Sequence, residues 1–155
     1  MDVRELKSKY NDLAKKYKVP AFVQVNENFE IEKIDKDVEC LLRLIRKVMM
    51  EKIVNSLSFL ELIINPVNAP RIYLNYIRSI GPNDRKEVDN IYSILGALSI
   101  ASLDLELDYS EKKEADMIKK IYDSWESIKP EFRKILKNMK NPIELFVKKE
   151  KSYFG

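Results

Sequence analysis

Residues 35–65 run for thirty-one positions without proline or glycine and are rich in Leu, Ile, Val, Met, Glu and Lys. Such residues lose little freedom in a helix or pack well on its buried face. Val38, Leu41, Leu42, Ile45, Met49, Ile53, Ser56, Leu60 and Ile63 recur at steps of three and four, the spacing that keeps side chains on one face of a 3.6-residue turn. Arg43, Lys47, Glu51 and Ser58 fall opposite. The pattern predicts a helix over 35–65, N-capped by Asp35 and stopped by Asn65-Pro66, with a length of roughly 45 Å. Its second half, from Leu57 to Ile64, is apolar in nearly every direction and is expected to be buried all round, as the axis of the molecule. Two charges interrupt this helix on its apolar side. Lys52 is expected to lay its methylenes on the core with its amine in water, and Glu61 to find a gap or a partner. They are the candidate buried or paired charges.

The remaining chain supplies helices to pack on that axis. Asp2-Val3-Arg4-Glu5 has the form of a capping box for a helix over 1–18, striped by Leu6, Tyr10, Leu13 and Tyr17 and ended by Pro20. Residues 21–28 are the least helical, a short extended segment or a loop, and 27–34 is expected to wind directly into the long helix. A short helix over 70–80 is expected to close on Gly81 as its C′ residue. Asp84 and Glu87 form a second capping box for a helix continuing to about Leu107. Its small-residue run 96–102 is expected to cross the 35–65 helix closely. Strict alternation over 104–109 resembles a strand, yet no second strand exists to pair with it, so the helix is preferred. Ser110 or Asp108 caps the next helix, which Pro130 is expected to interrupt by opening a further one. Asn141-Pro142 caps a last short helix, and 152–155 is a loose tail. The predicted fold is a single all-α domain over 1–155, a bundle of about six to seven helices around the long central one.

Composition closes several routes to catalysis. There is no histidine, one cysteine and three glycines. The first removes the commonest general base and every imidazole metal site. One thiol builds neither a zinc cluster nor an intramolecular disulfide. The glycines form no phosphate-cradling loop. The acidic runs over 27–37 and 104–111 lack the spacing of a calcium loop and read as solvated faces. Cys40 projects away from the apolar face among acidic neighbours, a poor setting for a nucleophile. No enzyme activity, cofactor or metal is expected. No apolar run approaches the roughly 20 residues that cross a bilayer, and no signal peptide is recognisable. The expectation is a cytoplasmic protein without a membrane partner. Its excess of lysine over arginine (21 against 7) points to a microbial source.

Surface remains. Arg133, Lys137 and Lys140 share one face of the helix after Pro130, and Lys148 and Lys149 follow, interleaved with aromatics. This basic C-terminal region is the candidate basic surface and fits nucleic acid or a lysine-rich solvated face. Net charge is only +3, so any electrostatic partner must be met by such a patch. Tyr73, Met50 and Tyr10, among other apolar residues in registers open to solvent, offer protein-contact area. The expected function is a non-enzymatic helical interaction module or subunit of a larger intracellular complex, binding a protein partner or a copy of itself. The alternative is a nucleic-acid-associated accessory protein.

Overall fold

A computed structural model describes residues 1–35 and 39–140. Six α-helices follow one another: α1 (Val3–Tyr17), α2 (Phe22–Phe29), α3 (Leu41–Ile64), α4 (Arg71–Arg78), α5 (Pro82–Leu107) and α6 (Glu111–Met139). Short 3-10 turns occupy Ile31–Lys33 and Pro66–Asn68. The chain is an all-α bundle, with no strand among the described residues.

Three long helices make the frame. Arg46 on α3 meets Ser102 and Glu106 on α5, and Glu61 further along α3 meets the earlier α5 residue Tyr92, so these two run antiparallel. Arg46 also meets Glu114 of α6, and Phe59 lies against Phe132, so α3 and α6 run parallel. The core between them is built from Ile45, Met49, Ile53, Leu60, Ile91, Leu95, Ile118 and Ile121, all withdrawn from solvent. Helices α1 and α2 pack on the α3–α6 side, where Leu6, Tyr10, Phe22, Val25 and Phe29 complete the core.

Several expectations change. The long helix begins at Leu41, with Cys40 in the cap position and no side-chain cap, so 24 residues span about 36 Å and Asp35 caps nothing. Residues 22–29 form α2: Phe22, Val25 and Phe29 at i, i+3 and i+7 point inward. The Gln24 side chain accepts a hydrogen bond from the Ala21 amide at 2.9 Å, closing the first turn. Glu30 then adopts a left-handed backbone (φ 53°) and ends α2, so the chain does not wind on into α3. Gly81 is the N-cap of α5 at φ −77°, and Ser79 caps α4; a helix starting at Pro82 places Asp84 inside its first turn. A Cβ at Gly96 would meet nothing within 4 Å, so the small-residue run makes no close crossing there.

Pro130 lies inside α6 without ending it. Proline removes the amide that would bond the Glu126 carbonyl and crowds the preceding turn, at a cost of about 3 kcal/mol. Glu126 and Pro130 are both exposed, so that carbonyl faces water, while Trp125, Ile128, Phe132 and Ile135 hold both sides of the proline in one buried stripe. Met50, placed in a solvent-facing register by sequence, is buried, and Tyr10 is buried as its place in the α1 stripe requires rather than open for contact, its hydroxyl donating to the Pro20 carbonyl at 2.8 Å.

The second half of α3 is the less buried half. Seven residues from Leu41 to Ile53 are buried and only Leu60 and Ile63 beyond them, while Val54 and Ile64 are exposed. Helix α5 is the one described helix long and apolar enough to cross a membrane by length and composition alone. Its inner face is committed to the bundle through Val88, Ile91, Leu95, Leu98 and Ser102.

Candidate functional site

An open groove of about 1370 Å³ lies between α3 and α6, closed at one end by residues 27–35. Groove and α5 lie on opposite sides of α3. Leu44, Val48, Asn55 and Phe59 reach the groove, whereas Arg46 and Glu61, half a turn around the helix, reach α5. The floor is aromatic. Phe29, Trp125, Phe132 and Phe59 form a chain of rings with successive centroids 6.0, 6.3 and 6.4 Å apart. Phe29, Trp125 and Phe132 are buried, so their rings brace the groove and only Phe59 is half open to it.

The walls are charged unequally. Lys129, Arg133, Lys137 and Lys140 step along α6 at intervals of four, four and three and all reach the groove. Lys129 bonds Glu126 at 2.9 Å, but the side chains of Arg133, Lys137 and Lys140 have no ion pair or hydrogen bond among the described residues. The α3 wall adds Glu51 and Lys52, and the closed end adds Glu27, Glu30 and Asp35, of which Glu30 pairs with Lys33. The groove thus has one wholly cationic wall. Of the basic residues singled out by sequence, Arg133, Lys137 and Lys140 come together here, while Lys148 and Lys149 lie outside the described residues, as does the helix expected after Asn141.

Lys52 sits over the floor. Its ammonium donates to the Asn28 carbonyl and lies 5.1 Å from the Trp125 ring centroid and 5.8 Å from that of Phe29. Desolvation holds its pKa below the ordinary lysine value, with Lys129 adding repulsion and Glu30 opposing the shift. The amine is therefore folded back onto protein groups rather than reaching freely into water. Asn28 joins the elements, since its amide donates to Glu126 at 2.7 Å and its carbonyl Oδ1 accepts from Lys129 at 2.9 Å. The Trp125 indole N–H is buried with no acceptor among the described residues. Glu61 lies away from the groove and accepts a 2.5 Å hydrogen bond from the Tyr92 hydroxyl.

A second polar cluster escaped the sequence reading. Arg46 is buried, and its guanidinium donates to Glu114 at 2.5 Å, to Ser102 at 2.6 Å and to Glu106 at 2.6 Å. Arg43, expected on the solvent face, instead donates to the fully buried Glu114 at 2.9 Å and to the Leu105 carbonyl at 2.8 Å. The Glu106 carboxyl is held below the usual range chiefly by its bond to Arg46. Among the described residues no buried side-chain nitrogen or oxygen of the cluster is left without a partner, which fits a structural clamp. At Cys40, the neighbouring Tyr109 hydroxyl is pushed up to about 12, first by burial and then by its hydrogen bond with the thiol. Among the described residues no group of three or more His, Cys, Asp or Glu side chains is arranged to hold a metal ion.

No family model matches the chain, and no curated protein or solved structure shows significant similarity to it.

Proposed function

We propose that this protein is a non-enzymatic helical interaction module that binds another protein. One observation carries the reading: five large apolar side chains within thirteen residues, from the end of α3 through α4, are exposed. The run starts at Ile64 at the end of α3, continues through Val67 (86% exposed) in the 3-10 turn and Ile72 (72% exposed), and ends on Tyr73 and Tyr76 of α4. Single exposed apolar residues need no explanation, but grouped ones mark contact surfaces. Aromatic residues are also the side chains that dominate protein interfaces. The apolar second half of α3 contributes to this run, so a helix whose composition calls for burial all round is covered on only part of its circumference.

Affinity capture with mass spectrometry tests this, comparing the wild type with Val67→Asp/Ile72→Asp. Both positions face solvent, so the fold is retained. The expected result is a defined set of proteins held by the wild type and lost from the variant. Equal capture by both would overturn the reading.

The second reading, a nucleic-acid accessory, is favoured by the convergence of four cations on the α6 wall of the groove. Against it, three of the four floor aromatics are buried and offer no face for a base to stack on. Glu27, Asp35 and Glu51 line the same groove away from the α6 wall, so a phosphate chain running along it would meet both signs of charge, and Glu30 is already paired with Lys33. The protein-binding reading therefore stands first.

A further inference from the structure

Helix α5 is apolar on both faces, and only one of them is used by the bundle. Half a turn around the helix from Leu95, Leu98 and Ser102 lie Ile100, Leu103 and Leu107, which are 69%, 64% and 79% exposed. Asp104 lies along one edge of this outer stripe and Asp108 at its C-terminal end, and both are exposed. Three large aliphatic side chains within about 10 Å of helix form a patch that water alone covers poorly.

The opposite side of the same molecule carries its complement. The α3–α6 groove offers half-buried Leu44, Val48, Phe59 and Leu136 to an apolar stripe. Its α6 wall offers Arg133 and Lys137, unpaired among the described residues, to Asp104 on α5 and Asp108 at its C-cap. The cationic wall from Lys129 to Lys140 is about 16 Å long, enough for the outer stripe of α5. We propose that the groove of one copy receives the outer face of α5 of a second copy, with Asp104 and Asp108 against Arg133 and Lys137. Charge selects this occupant over the chain's own residues 141–155, which carry three lysines against two glutamates and would face a cationic wall.

Groove and stripe are different surfaces on opposite sides of the protein, so the contact is head-to-tail. Such a contact leaves a free groove at one end and a free α5 face at the other, and it grows into a ring or an open filament rather than stopping at a dimer. The patch is small compared with stable interfaces, so growth appears at high concentration and weakens with salt, as expected for exposed charges. The inference rests on the interaction-module reading and names one occupant for it.

Sedimentation equilibrium of the full chain, from micromolar to near-millimolar concentration, tests the proposal. The wild type should rise above its 18.3 kDa monomer mass as concentration increases and fall back in high salt. A groove variant, Arg133→Glu/Lys137→Glu, and a stripe variant, Leu103→Lys/Leu107→Lys, should each remain monomeric. All four positions are exposed, and circular dichroism confirms retained helix. Mixed one to one, the two variants still offer one intact stripe and one intact groove, so the mixture should reach twice the monomer mass and stop there. Monomeric wild type throughout, association of either variant at wild-type strength, or a mixture that stays monomeric would each overturn the proposal. A peptide of residues 141–155 that binds the wild type and not the groove variant would overturn it in favour of the chain's own segment. A monomeric wild type that still captures a protein through Val67 and Ile72 removes this inference and leaves the broader reading in place.

Discussion

Arg46 on α3 and Glu114 on α6 form an ion pair of 2.5 Å with both side chains almost wholly withdrawn from solvent. Two charges taken out of water are costly, and the attraction between them offsets that cost only where every donor and acceptor is used. Here Arg43, Ser102 and Glu106 complete the set, so the cluster ties all three long helices at one level.

Removing one member should therefore be much worse than removing both. Glu114→Gln leaves a buried guanidinium short of its counter-charge and is expected to cost about 3–5 kcal/mol. Arg46→Met with Glu114→Leu should recover most of that loss, because Glu106 is partly exposed and keeps Lys47 at 3.2 Å, while Arg43 is partly exposed and keeps the Leu105 carbonyl at 2.8 Å. Urea denaturation of the wild type, the single variant and the double variant measures the difference. A double variant no more stable than the single one would show that the pair itself, not the isolated charge, dominates.

Acid should loosen the joints between helices. Three carboxyls that bridge helices are held below their ordinary values: Glu106 by Arg46, Glu111 first by the Tyr17 hydroxyl and then by Lys16, and Glu126 first by Lys129 and then by Asn28. A carboxyl with a lowered folded-state pKa contributes stability that is present above the unfolded value of about 4.3 and lost as pH falls through the folded value. Denaturation midpoints should thus be flat near neutrality and fall below pH of about 4. Glu126→Gln, which removes the bridge to Lys129 and α2, should shrink that drop. An unchanged acid profile in the variant would remove Glu126 from the account.

Lys18 ends α1 with a left-handed backbone, φ 55°. That conformation crowds Cβ against the next carbonyl and is natural only for glycine. Lys18→Gly is expected to stabilise by about 0.5–1 kcal/mol, the relieved strain less the extra freedom glycine has when unfolded. Lys18→Ala keeps the Cβ and should gain nothing. Equal thermal midpoints for the glycine and alanine variants would contradict the strain.

Much of the bundle was legible because helical periodicity survives wherever one face is buried. Leu60 and Ile63, and the α6 stripe from Ile118 to Ile135, lie where their spacing puts them. Boundaries were harder to read. Lys18 and Glu30 stop helices in left-handed conformations that sequence reserves for glycine, whereas Gly81 starts one. Pro130 looks like a break in sequence because its local cost is visible there, whereas the buried stripe that offsets it is tertiary. Arg46 was invisible for a related reason: an arginine beside an apolar stripe reads as solvated, and its acceptors Ser102, Glu106 and Glu114 come from two helices more than fifty residues away. The groove was half legible. The spacing of Arg133, Lys137 and Lys140 gave a shared face, but only packing sets that face beside Phe59 and opposite Glu51.

That same face decides between protein and nucleic acid. If Arg133, Lys137 and Lys140 neutralise phosphates, the wild type should retain a single- or double-stranded probe, with affinity falling steeply as salt rises. The slope on duplex DNA would be about −0.9 per phosphate neutralised, and reversing all three charges to glutamate should flatten it. Three contacts give weak, sequence-independent binding, so retention confined to very low salt carries no weight. At physiological ionic strength the Debye length is about 8 Å. A phosphate chain along the groove would meet Glu27, Asp35 and Glu51 as well as the cations, and the buried rings of Trp125 and Phe132 add no stacking. Negligible binding is the expected outcome in a filter-retention or fluorescence-anisotropy titration. Salt-sensitive binding that persists at that ionic strength and vanishes in the triple variant would place nucleic acid, not protein, in the groove.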